Sequence, residues 1–266
     1  MSLPIYNQDL GIIGILAQSA TTYTDCITFT GETSDFTLKA TYKEWDGTVE
    51  YSTDHNTWTV WNGEKIVSVS GKLYLRGSGN TTFSTGNGAQ LRLSARAACS
   101  GNIQTLLEYS NPPAAVANFC YAVMFYGCTN LITAPELPAT TLAKYCYQGM
   151  FNDCTSLTAA PELPATTLAE ACYANMFSRC TSLVQAPELP ATTLEKYCYQ
   201  GMFNGCTSLK VSTTQSSEYP TAWKIPSSGA ISSTATNWNN KMLANTGGTF
   251  TSNPSINTTY YGAWTK

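Results

Sequence analysis

The chain has 266 residues, 43% of them hydrophobic, enough to bury the core of one large domain or two ordinary ones. Charged residues make up only 12%, the formal net charge is −3, and no run of lysine or arginine can track a phosphate backbone, which argues against nucleic acid as a partner. Motifs for a phosphate loop, a zinc-protease helix or a paired cysteine knuckle are absent from the sequence.

Residues 1–23, MSLPIYNQDLGIIGILAQSATTY, carry an apolar run from Leu10 to Ala17 with Asp9 directly before it and no basic flank. That is a poor secretory signal, and it is far short of the roughly 20 apolar residues of a membrane span. The segment reads as a short N-terminal arm that docks on another protein, or as a first element packed on the domain that follows.

From Cys26 to Cys99 the texture alternates. ITFT, FTLKATY, TVEYST, TWTVW, KIVSVS, KLYLRG and AQLRLSA are separated by polar turns, which predicts an antiparallel β-sandwich over residues 24–100. Within it EYSTDHNTW reads as a hairpin with Asp54 and Asn56 in the turn. His55, the one histidine of the chain, falls in that turn. A Cys-His or Ser-His catalytic pair would need a nucleophile beside it, and the neighbouring sequence supplies none. His55 is therefore expected to be a solvated turn residue, and the chain is not expected to be an enzyme.

Beyond residue 100 the sequence repeats. CYAVMFYGCTNLITAPELPATTLAKY begins at Cys120, CYQGMFNDCTSLTAAPELPATTLAEA at Cys146, CYANMFSRCTSLVQAPELPATTLEKY at Cys172 and CYQGMFNGCTSLK at Cys198, a period of 26 residues with no insertions. Eight of the ten cysteines occupy two columns of this repeat, and Met124, Met150, Met176 and Met202 occupy a third. NIQTLLEYSNPPAAVANFC reads as an opening unit. WNNKMLANTGGTF reads as a decayed last one, with Trp238 and Thr246 in the cysteine columns, as the ends of a stacked array require.

At about 100° per residue, the first Cys, the Met and the second Cys of a unit lie on one apolar stripe, which predicts a short helix. Thr192 with Glu195, and Thr140 and Thr166 in the same place, look like its N-terminal caps. Thr-Ser-Leu and the following Ala-Pro predict a short extended segment. On such a helix residues eight apart are about 12 Å from each other, too far for a shared metal ion or a disulfide. The cysteines are expected to be buried thiols, with pairing between equivalent cysteines of adjacent units as the alternative.

These units resemble the BspA-like leucine-rich repeat family, in which an apolar-Phe helix, a Cys, a spaced Leu and a proline turn recur. PELPATTL departs from the family's commoner β-branched, glycine-containing segment. The resemblance implies an α+β chain in which a β-sandwich precedes a strand/short-helix solenoid with degenerate caps over residues 101–266. It also implies surface adhesion or recognition.

The expected binding surface has two parts. Glu136, Glu162 and Glu188 of the PELP segments must line up in a column, as a binding stripe or as a solvated edge. The pairs that follow MF differ between copies, and Tyr126, Asn152, Asp153, Ser178, Arg179 and Asn204 are read as adjustable outward positions of the helix. No cofactor, metal or catalytic residue is expected. The partners expected are a protein or glycan on a host or neighbouring surface, other virion proteins through residues 1–23, and further copies of the chain. Without a secretory signal the setting expected is a bacteriophage particle, as a fibre, decoration or receptor-binding protein. The alternatives are a bacterial surface adhesin and, from another class, a glycan-acting enzyme.

Overall fold

The computed structural model describes residues 26–85, 88–230 and 235–265. The expected docking arm, residues 1–23, lies outside the described residues. The first strands are β1 (Ile27–Gly31), β2 (Thr37–Ala40), β3 (Thr48–Ser52), β4 (Thr59–Val60), β5 (Ile66–Val67), β6 (Lys72–Ser78), β7 (Leu91–Leu93) and β8 (Ala97–Ser100). With β9 (Leu131–Thr133) they form two sheets, ordered β4-β3-β6-β1-β8-β9 and β5-β2-β7. Alternation decides the facing: in β6 Leu73, Leu75 and Gly77 are buried while Lys72, Tyr74, Arg76 and Ser78 are partly exposed. The hairpin between β3 and β4 is tied by Asp54, whose carboxylate accepts from the amides of Asn56 at 2.9 Å and Thr57 at 2.7 Å and from the Ser52 hydroxyl at 2.9 Å.

The α+β expectation is overturned. Among the described residues the only helical piece is one 3-10 turn, Ile103–Leu106. The segments read as short helices are instead ribbons of overlapping tight turns. In the first ribbon the amides of Cys120, Ala122, Met124, Tyr126 and Cys128 bond back three residues, to Ala117, Phe119, Tyr121, Val123 and Phe125. The amides between them point out of the ribbon. Those of Phe119, Tyr121, Val123, Phe125 and Gly127 donate to the carbonyls of Lys144, Cys146, Gln148, Met150 and Asn152 in the next unit. An α-helix would consume all of these donors internally and leave none to join the units.

The backbone device behind this is a left-handed residue at every fourth position. Phe119, Val123 and Gly127 have φ of 59°, 55° and 67°, and Tyr145, Gly149 and Asp153 repeat the pattern at 59°, 58° and 62°. Glycine, asparagine and aspartate tolerate that region, and several copies place them there. With a turn repeat of four, Cys120, Met124 and Cys128 stay on one side without the drift of a 3.6-residue helix. All three are buried, and so are Tyr121 and Phe125 beside them.

The ribbons stack as 26-residue rungs, and identical side chains make columns. Tyr121, Tyr147, Tyr173 and Tyr199 are stacked at 5.8, 5.8 and 6.0 Å between ring centres. Phe125, Phe151, Phe177 and Phe203 follow at 5.5, 5.6 and 5.8 Å. The last rung is Trp238 to Thr246, whose carbonyls at Trp238, Asn240, Met242 and Ala244 accept from Tyr199, Gly201, Phe203 and Gly205.

Both ends are closed. The carbonyls that the first rung turns away from its neighbour are taken by the N-terminal part of the chain: Cys120 by the amides of Phe83 and Ser84, Ala122 by the Ser84 hydroxyl at 2.7 Å, Met124 by the Leu91 amide, and Tyr126 by the Arg92 guanidinium. Phe29 packs 6.4 Å from Phe125, so the N-terminal sheets and the rungs share one continuous core. At the other end β10 (Val211–Ser212), β11 (Thr221–Lys224) and β12 (Thr259–Gly262) form a sheet ordered β10-β12-β11. Trp223, Tyr260 and Trp264 are buried there, so the aromatic tail serves as a cap.

The far-ultraviolet circular dichroism of the folded chain is expected to lack the helical double minimum. Phe151→Ala, which removes a ring held between Phe125 and Phe177, is expected to cost about 3–5 kcal/mol in urea denaturation.

Candidate functional site

The PELP segments lie between the turn ribbons of successive rungs. Proline has no amide hydrogen, so two positions in every four can donate nothing to a neighbouring rung. The first PELP segment is still bonded outward: Glu136 exchanges backbone hydrogen bonds with Gly101 and Ile103. The third is held by its carbonyls, Pro187 by the Trp223 indole at 3.1 Å and Leu189 by the Ser227 amide. Between the segments no such bonds form among the described residues, where the amides of Glu162 and Leu163 bond to no other backbone group.

The segments therefore stand apart and leave a trough along the stack. Its first recess, about 510 Å³, is lined by Pro135, Glu136, Pro138, Pro161, Glu162 and Pro164. A second, about 390 Å³, repeats the lining one rung later with Pro161, Glu162, Pro164, Pro187, Glu188 and Pro190. A third, about 310 Å³, continues from Glu188 to Trp223 and Lys224. Leu137, Leu163 and Leu189 are buried beneath, while Glu136, Glu162 and Glu188 are exposed. Glu136 and Glu162 make no ion pair among the described residues. The column of carboxylates expected from the sequence thus sits between proline rims, in recesses of ligand-binding size.

The second expected group behaves differently. Asp153 and Arg179 face each other across adjacent rungs, with Nε to Oδ1 at 2.6 Å and Asn152 accepting at 3.4 Å. Hydrogen bonding to Asp153 raises the already high pKa of the Arg179 guanidinium further. Asn204 accepts from the Asn245 side chain at 3.1 Å. Tyr126 is half-buried. Ser178 is a correction: it is only 5% exposed, and its short side chain folds back so that the hydroxyl donates to the Asn204 carbonyl at 3.2 Å. These residues mostly satisfy one another along one corner of the stack, whereas Glu136 and Glu162 in the trough make no ion pair among the described residues.

His55 is also placed otherwise than expected. Its ring stacks on Tyr74 at 4.6 Å, and Nε2 lies 3.5 Å from the Cys26 sulfur, 29 residues away in sequence. Cys26 is buried, so the contact packs the hairpin against the start of β1. Among the described residues no group of three or more His, Cys, Asp or Glu could hold a metal ion.

All ten cysteines are free and buried. In the second column Cys154, Cys180 and Cys206 donate to the carbonyls of Phe125, Phe151 and Phe177 at 3.1, 3.0 and 3.0 Å. Burial pushes the thiols of Cys120, Cys172 and Cys206 up to about 12 and that of Cys128 to about 11. A thiolate is the reactive form, so these groups are inert at neutral pH.

The missed residues are the prolines that line the trough. Their signal was in the sequence, since prolines on both sides of Glu-Leu remove the donors that would otherwise bond the segments together.

Native thiols are expected to resist alkylation near pH 8 and to react only as the chain unfolds. The unfolded chain loses these protons near pH 9.0, while the folded chain keeps those of Cys120, Cys172 and Cys206 to about pH 12. Stability is therefore full below pH 9.0 and falls as pH rises from there toward 12. Urea denaturation across that range checks the slope, and Cys172→Ala is expected to make it shallower. Comparison with known proteins finds no matching family model, no matching curated protein and no matching solved structure.

Proposed function

We propose that the chain is a non-enzymatic recognition and structural protein of a surface, with a bacteriophage particle as its setting. The observation that carries this reading is the trough. One exposed carboxylate between two prolines recurs at each rung, on a frame whose buried columns hold its spacing fixed. A rigid array with the same polar group presented at regular intervals suits binding to an extended or repetitive partner. The buried thiols with raised pKa offer no nucleophile at neutral pH, which favours binding over covalent chemistry.

In this reading residues 1–23 attach the chain to other virion proteins and the stack faces a host or neighbouring surface. A bacterial adhesin of the BspA-like type is the second reading, supported by the repeated Cys, Met-Phe and Leu columns that carry the resemblance. Deletion of residues 1–23 is expected to abolish incorporation into particles while the truncated chain retains the thermal transition of the full chain. Purified chain labelled with a fluorophore is expected to bind host envelopes in a sedimentation assay; absence of binding to any envelope would overturn the recognition reading.

A further inference from the structure

We draw no further inference here: the strongest candidate, the C-terminal edge of the last turn ribbon, where the amides of the exposed residues Lys241 and Asn245 bond to no other backbone group among the described residues, carries nothing because nothing in the structure shows what covers it.

Discussion

Every second amide of each turn ribbon donates along the stack to the rung that follows, and the rest of the molecule is arranged around that rule. The donors are free to leave the ribbon only because a left-handed residue recurs at every fourth position, at Phe119, Val123 and Gly127 and again in each later copy. A left-handed conformation costs a residue with a side chain about 1 kcal/mol or more. The stack offsets this with two hydrogen bonds for each such residue and with the burial of every Cys, Tyr, Met and Phe column.

A stack built this way has a direction, since each rung turns its donors toward the C-terminal end and its acceptors toward the N-terminal end. The ends cannot be alike. The first rung needs donors, and the N-terminal part of the chain provides them from Phe83, Ser84, Leu91 and Arg92. The N-terminal sheets are therefore the lid of the array and share its core. Their strand β8 carries the pairing further by accepting β9 of the first rung as a parallel neighbour, with Ala97 opposite Leu131.

The trough follows from the same hydrogen-bonding rule applied where it fails. The two prolines of each PELP segment have no amide to donate, and among the described residues no backbone hydrogen bond joins one PELP segment to the next, while the ribbons beside them are bonded rung to rung. The separated segments keep their spacing because the buried leucines beneath them, Leu137, Leu163 and Leu189, are locked into the core. Rigidity and openness thus come from adjacent parts of one rung.

Much of this could be read from the sequence, and the limits of the reading have a physical cause. The period of 26, the buried columns, the line of Glu136, Glu162 and Glu188 and the positions of the early strands all depend on residue type and spacing, which a chain carries with it. The helix was misjudged because Cys, Met and Cys at intervals of four suit a 3.6-residue turn over so short a span as well as they suit a turn ribbon. The discriminating signal was the Gly, Asn and Asp at the second place after CY and MF. After MF those letters read as adjustable surface, but the left-handed backbone restricts what that place can hold. Sequence spacing also could not bring Cys26 to His55, seat Ser178 inward, or pair Arg179 with Asp153, because each depends on which direction a side chain takes once rungs are in register. The sequence by itself determined what repeats and what must be buried. Only the tertiary structure decided where the backbone donors go, since an amide is the same group in every residue but proline and its partner is chosen by the fold.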